Sequence, residues 1–216
     1  MARRTKEEAE QTREHLLDAA EALFHANGVS RTSLQDIASA AGVTRGAIYW
    51  HFKDKADLFN AMMDRVHLPL ENCGDPLELG ACEHPMAELL ANVVAVLRRC
   101  ATEERIRRVF QIATQMVEYV DELAGVRQRH REVRARYLFD METSLRQAVK
   151  HSSLKLRVSV PVAARGLHAV VHGLLHDWML APEEFDLVRV GRETVGCYLA
   201  GLVDPLVLGN DLRPKE

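Results

Sequence analysis

The sequence predicts an all-α protein, with an N-terminal three-helix helix-turn-helix domain followed by a C-terminal helical-bundle domain. Three observations carry this. Apolar residues recur at helical spacing, as in Leu34, Ile37, Ala38 and Ala41 at i, i+3, i+4 and i+7. Alternating β-branched stretches of five or more residues are absent. Proline and glycine are few, 7 and 12 in 216 residues, so little interrupts the helices.

The first helix is expected from about Lys6 to Asn27, with Leu16, Ala20, Leu23 and Phe24 on its apolar face. Gly28 suits the position after it, where a left-handed residue closes a helix. Thr32 and Gln35 have the spacing of a capping box for a second helix. Gly42 can turn the chain, Thr44 can cap a third helix from Arg45 to about Trp50, and Asp54 can cap a fourth from Lys55 to about Leu68. Two short helices joined through a glycine turn form a helix-turn-helix. Pro69, Gly74, Pro76 and Gly80 then break the pattern, which places a domain boundary between residues 1–68 and 69–216. Longer helices are expected at 85–101, 103–120, 126–151, 161–180 and 183–203, a bundle large enough to hold a pocket.

Composition narrows the function. Apolar residues at 47% and charged residues at 27% describe an ordinary globular protein of one to two domains. The net charge is −3, and residues 1–67 carry nine Lys and Arg against ten Asp and Glu, so bulk charge does not point to a polyanion partner. A small basic face can still hide in a neutral average. The four cysteines, at 73, 82, 100 and 197, form no CxxC pair; neither a disulfide scaffold nor a structural zinc site is expected, and a reducing cytoplasm fits. Arg3, Arg4 and Lys6 precede no apolar segment, so no signal peptide is expected, and no apolar run approaches a membrane span. GxSxG, a Gly-rich phosphate loop and HExxH are all missing, and no cofactor motif is present; an enzyme is not expected.

The segment from Thr44 to Lys55 carries the most chemistry. Ile48 and Phe52, at i and i+4, can anchor it on the preceding helices alongside Val43, leaving Arg45 and Tyr49 to point outward. Arginine at the start of a short helix can meet a guanine edge in a major groove. Gly46 and Ala47 let a backbone approach closely, and Tyr49, His51 and Lys55 can donate to phosphate oxygens. The same residues also suit the core and surface of a small helical hairpin, and periodicity alone leaves both readings open.

Residues 5 to about 68 strongly resemble the N-terminal domain of TetR-family transcriptional repressors. The match runs through Thr12-Arg13, Ala19-Ala20 with Phe24, Gly28, Thr32-Ser33, Ile37-Ala38, Ala41-Gly42-Val43, Gly46, Tyr49-Trp50-His51-Phe52, and Lys53-Asp54-Lys55 with Leu58. The opening from Arg3 to Glu8 and the string from Gly42 to Phe52 look most like the AcrR/TtgR-like branch, which represses multidrug efflux operons. The resemblance implies a homodimer docking two recognition helices on double-stranded, palindromic operator DNA. Carried onto this chain, Arg45, Gly46 and Ala47 would face bases, while Thr32, Ser33, Thr44, Tyr49, His51 and Lys55 would hold phosphates. Trp50 and Phe52 would pack the small domain, and Arg3, Arg4 and Lys6 would be a basic arm or a solvated tail.

Past residue 70 the resemblance is one of layout. It implies that the last two long helices form the dimer interface, where Val170, Leu174, Trp178, Val195, Tyr198 and Leu199 supply apolar bulk, with intrachain core as the other reading. Gly166, Gly173, Gly196 and Gly201 would permit close helix approach. A pocket for a small hydrophobic, drug-like effector would draw on Leu90, Val93, Val96 and Leu97; on Phe110, Ala113, Thr114 and Val117; on Tyr137, Leu138 and Met141; and on Val171 and Leu175. Met116 and Met141 would let it reshape. The same stripes also read as plain core.

His168, His172 and His176 share one helix face beside Asp177. They could bind metal, titrate as a switch, give polar handles to the effector pocket through His168 and His172, or sit as ordinary bundle histidines. The third lies ~12 Å along the axis from the first, which disfavours metal. Cys73 and Cys82 are either redox sensors or idle thiols. Two further functions fit the sequence: a sensor of the same family for a metal, oxidant or fatty-acyl ligand, and a helical interaction protein acting through its bundle surface.

Overall fold

The computed structural model describes residues 6–65, 84–118, 123–152 and 154–203. Nine helices occur among them: α1 (Lys6–Asn27), α2 (Leu34–Ala40), α3 (Arg45–His51), α4 (Lys55–Asp64), α5 (Pro85–Thr102), α6 (Glu104–Gln115), α7 (Ala124–His151), α8 (Val160–Leu180) and α9 (Leu187–Leu202). The described residues fall into two compact units. One holds α1–α4, Arg105–Gln115 of α6 and the first turns of α7 up to Glu132; the other holds α5, the rest of α7, α8 and α9. Most of α6 and the start of α7, within Arg105–Glu132, thus cluster with the N-terminal helices.

The first unit closes on Leu16, Leu17, Ala20 and Phe24 of α1, Ile37 and Ala38 of α2, Ile48 of α3, and Leu58, Phe59, Met62 and Met63 of α4, all buried. Phe24 and Phe59 meet at its centre, ring centroids 6.1 Å apart. Truncating either to alanine would cost ~3–5 kcal/mol, the usual loss for a buried aromatic. Two glycines make the turns. Gly28 sits at φ +85° and Gly42 at φ +69°, left-handed values that a β-carbon resists.

The second helix is capped by Ser33 rather than Thr32. Ser33 Oγ accepts from the Asp36 amide at 3.1 Å, and the Asp36 carboxylate accepts from the Ser33 amide at 2.9 Å. Thr32 instead turns inward: its hydroxyl donates to the Gly28 carbonyl at 2.8 Å and closes the turn between α1 and α2. Thr44 and Asp54 cap α3 and α4 as expected, accepting from Ala47 and Asp57. The expected end of the fourth helix near Leu68 lies outside the described residues, as do Cys73, Cys82, Arg3 and Arg4.

α6 is also held in the first unit. The Val29 amide donates to the Met116 carbonyl at 3.0 Å, and Glu21, a nearly buried carboxylate on α1, meets Arg105 at 3.3 Å and Arg108 at 3.5 Å. Arg65 and Arg105 share Asp18 at 2.6 and 3.3 Å.

In the second unit α9 packs on both α5 and α8. Two glycines set the spacing. A β-carbon on Gly166 would strike the Tyr198 ring and hydroxyl, and one on Gly191 would strike Leu97. Gly191 was not singled out in the sequence; its signal was only its place on a helix face. α9 starts at Leu187, later than the expected 183, because Asp186 caps it by accepting from the Val188 and Arg189 amides at 2.9 and 3.0 Å. An isolated antiparallel bridge joins Leu156 to Val203.

Candidate nucleic-acid interface and ligand site

The helix-turn-helix presents α3 outward. Gly42 ends α2, Val43 donates from its amide to the Ala38 carbonyl at 2.9 Å, and Thr44 opens α3. Ile48 and Phe52 are buried and fix the helix to its unit. Arg45, Gly46 and Tyr49 are exposed, with Ala47 and His51 half-buried. The Arg45 guanidinium lies 5.7 Å from the Tyr49 ring centroid, a cation–π contact that aligns the two on the open face. Ser33 and Thr44 are exposed at the helix starts.

Beside this face runs a cleft of about 500 Å³, whose walls include Arg31, Ser33, Gln35, Arg45, Tyr49 and Lys53. Arg31, Gln35 and Lys53 were missed in the sequence; being exposed and flanking the recognised positions is the signal that could have found them. The Ser33 hydroxyl, then its backbone amide, hold the Asp36 carboxyl below its ordinary range, so a fixed negative charge sits at the start of α2.

Three expected positions are placed differently. Lys55 is 5% exposed, and its Nζ donates to the Ser30 carbonyl at 3.2 Å and the Thr32 carbonyl at 3.1 Å. The Thr32 side chain is buried and bonded to main-chain carbonyls. Both stabilise the turn between α1 and α2 from inside, and both also line the cleft. Trp50, expected to pack, is 73% exposed, because Ile48 and Phe52 already take the inward positions of so short a helix. It stands edge-on to His51, ring centroids 4.6 Å apart.

The expected ligand-lining residues separate by unit. Phe110 is buried and Thr114, half-buried, donates its hydroxyl to the Phe110 carbonyl at 2.8 Å; both belong to the first unit. In the second unit Val93, Val96, Tyr137, Met141, Val171 and Leu175 are buried, Leu90 and His168 half-buried, and His172 exposed. Tyr137 and His168 face each other with ring centroids 5.3 Å apart, and His168 and His172 follow at 5.7 Å. Burial, then His172 and the Arg134 and Arg165 charges, push the His168 imidazole below its ordinary range. Burial and then His176 do the same to His172. Among the described residues no three His, Cys, Asp or Glu converge as metal ligands.

Of the residues expected at a dimer contact, Trp178, Val195 and Leu199 are buried within the chain, whereas Val170, Leu174 and Tyr198 are half-exposed. The Tyr198 hydroxyl donates to the Ala163 carbonyl at 2.8 Å. Val162 and Leu180 on α8 are 54% and 67% exposed, and Gly173 and Gly201 have open space beside them. Val162, Ala169, Gly173 and Leu180 recur along one stripe of α8. Among the described residues no helix is long and apolar enough to cross a membrane.

Comparison with known proteins agrees with this geometry. Residues 16–62 match the model of the bacterial regulatory proteins of the tetR family, and residues 84–203 match the C-terminal region of MAATS-type transcriptional repressors. The HTH-type transcriptional regulator AcrR of Shigella flexneri is 39% identical, covering 99% of this chain and 97% of its own. The structure of NalD, the secondary repressor of the MexAB-OprM multidrug efflux pump in Pseudomonas aeruginosa, is 35% identical with a TM-score of 0.82, over 91% of this chain and 99% of that one. A SmeT–triclosan complex is 34% identical with a TM-score of 0.76, over 95% and 99%. With both halves of the chain matched and the recognition helix exposed as such a reader requires, the protein belongs to the TetR family of bacterial transcriptional regulators.

Proposed function

We propose that the protein is a homodimeric, cytoplasmic repressor of a multidrug efflux operon, released from a palindromic operator by a small hydrophobic effector. The observation that carries DNA binding is the exposed row Arg45, Gly46 and Tyr49 on α3, beside the cleft bearing Arg31 and Lys53. Arg45, Gly46 and Ala47 read base edges; Ser33, Thr44, Tyr49 and His51 hold phosphates, joined by Arg31, Gln35 and Lys53. Two such heads, set one helical turn apart at ~34–36 Å, match two half-sites. Residues 1–68 supply the reading head and residues 69–216 the effector and dimer functions. The dimer contact uses Val170 and Leu174 together with the exposed Val162 and Leu180.

The efflux assignment is supported by the similarity to NalD and to SmeT, which binds triclosan. The effector site draws on Leu90, Val93, Val96, Tyr137, Met141, His168, Val171, His172 and Leu175 of the second unit. An effector shifts the balance between operator-binding and released dimers only by its differential affinity for the two. α6 carries the signal to the head, because Arg105 and Arg108 hold it to Glu21 of α1.

The test is fluorescence anisotropy of DNA from upstream of the protein's own gene and its neighbour, against a scrambled duplex, repeated with planar hydrophobic antimicrobials. Specific binding released by a panel member is the expected result. Loss of all specific binding would overturn the reading, and specific binding that no hydrophobic compound releases would overturn its effector half.

A further inference from the structure

The start of α7 meets α4 at three places, all within the first unit. Gly125 brings its backbone so close that a β-carbon there would lie 3.2 Å from that of Ala56. Arg129 holds Asp64, the last residue of α4, at 2.7 Å. Between these points along α4, the half-buried His130 ring meets the fully buried Phe59 ring at a steep 75°, centroids 6.3 Å apart. Phe59 packs in turn on Phe24 of α1, so His130 closes one end of an aromatic row through α1, α4 and α7.

We propose that His130 is a positioning residue for operator binding, its ring seating the start of α7 on α4 and giving up that seat in acid. The proposal rests on the repressor reading given above.

The seat suits a neutral ring. An uncharged imidazole gains from an edge-on aromatic contact, whereas an imidazolium must shed water to stay against Phe59. The charged groups at this contact do not welcome a proton either. Arg129, beside His130 on α7, repels a second cation, and Asp64 of α4 is already engaged by Arg129. Burial first, and then Arg129, hold the imidazole below its ordinary value of 6.5. A ring that resists its proton when seated takes it more readily when unseated, so falling pH draws the population toward the unseated form. Each pH unit of lowering is worth about tenfold in that balance once both forms are protonated. Unseating uncovers Phe59 and loosens α4 against α1. Because α2 and α3 also pack on α1, the reading helix loses its placement.

His51, on the DNA face, can also take a proton, which would strengthen binding to any duplex. The quantity to measure is therefore the ratio of operator to random-duplex affinity, by anisotropy between pH 8 and 5.5, with circular dichroism confirming the fold at each pH. Wild type is compared with His130→Phe, which keeps a ring without a proton site, and with His130→Gln, which keeps hydrogen bonding with neither ring nor titration. Wild type is expected to lose about five- to tenfold in the ratio on acidification, and both variants less than about twofold. A flat wild-type ratio overturns the proposal, as does an equal loss in a folded variant. Specific binding at pH 8 with a flat profile sinks this role alone. A chain with no operator preference even at pH 8 sinks the repressor reading and this role with it, so the two failures are told apart.

Discussion

Lys55 Nζ lies 3.1 Å from the Thr32 carbonyl oxygen, inside the turn that leads into α2. The lysine that the sequence offers as a phosphate ligand is also bonded to the Ser30 carbonyl at 3.2 Å, so we propose that its main work is as an internal strut. Hydrogen bonds from a charged donor contribute about 1.5–3 kcal/mol each, and the carbonyls left behind lose part of that to water. Lys55→Met should lower stability by about 2–3 kcal/mol in a urea titration. The slope of log affinity against log salt for operator DNA should stay unchanged, because no phosphate contact is removed. A slope reduced by about one unit would return Lys55 to the interface.

Arg45 behaves differently. It opens α3, is exposed, and is steered by the Tyr49 ring rather than held by an internal acceptor. Arg45→Ala should cost ~1–3 kcal/mol per half-site and relax specificity at one base pair. Anisotropy with operator and random duplexes decides this. Equal losses on both would make Arg45 a phosphate contact.

Gly166 tests how α8 and α9 fit. Its missing β-carbon leaves room for the Tyr198 ring, whose hydroxyl is tied to the Ala163 carbonyl at 2.8 Å. In an open helix Gly→Ala gains ~1 kcal/mol. Here the clash should reverse the sign, so Gly166→Ala destabilises by about 1–2 kcal/mol. In a Tyr198→Phe background the obstructing oxygen is gone but the ring carbon, 2.8 Å from the added β-carbon, remains, so the same substitution should cost less without becoming neutral. A double-mutant cycle by thermal melting measures the coupling, and additive effects would contradict it.

What the sequence could show here depended on distance along the chain. Helix existence, the glycine turns at Gly28 and Gly42, and the caps Thr44 and Asp54 depend on neighbours a few residues away, and they were legible. Ser33 in place of Thr32 as the cap was not, because the choice turns on where the Thr32 hydroxyl goes after α1 has ended. The burial of Lys55 depends on carbonyls 23 and 25 residues away. Trp50 was misjudged since a seven-residue helix has room for few inward positions, and Ile48 with Phe52 already fills them. Apolar periodicity also marks Trp178 and Leu199 as facing something without saying whether that is the same chain or a second copy.

The histidines give the protein an acid-side sensitivity. His130, His168 and His172 all have imidazoles pushed below their ordinary value of 6.5, with burial as the largest cause. The unfolded chain therefore takes up protons at a pH where the folded chain still refuses them. Stability from these groups is complete above about pH 6.5 and falls as the pH drops below that value and through the lowered folded values. Melting curves from pH 8 to 5 should show this loss, and His168→Phe should lose less on acidification than the wild type. An identical pH dependence in the variant would remove His168 from the account.

Glu21 offers the sharpest test of how ligand binding reaches DNA. Its side chain is only 7% exposed, yet both its partners, Arg105 and Arg108, come from α6 and remain accessible to water. Replacing the carboxylate leaves arginines that can hydrate, so Glu21→Gln should cost only about 1–2 kcal/mol of stability. The interactions presenting α3 lie elsewhere, on Ile48, Phe52 and the Gly42 turn, and intrinsic operator affinity should change by less than about threefold. The ratio of operator affinities with and without effector measures the coupling free energy, typically 1–3 kcal/mol in such systems. If α6 transmits through Glu21, that ratio should shrink several-fold in the variant while effector affinity for the free protein is retained. A ratio equal to the wild-type value would mean that the signal enters the head by another element. The remaining main-chain tie of α6, from the Val29 amide to the Met116 carbonyl, would then be the next contact to perturb.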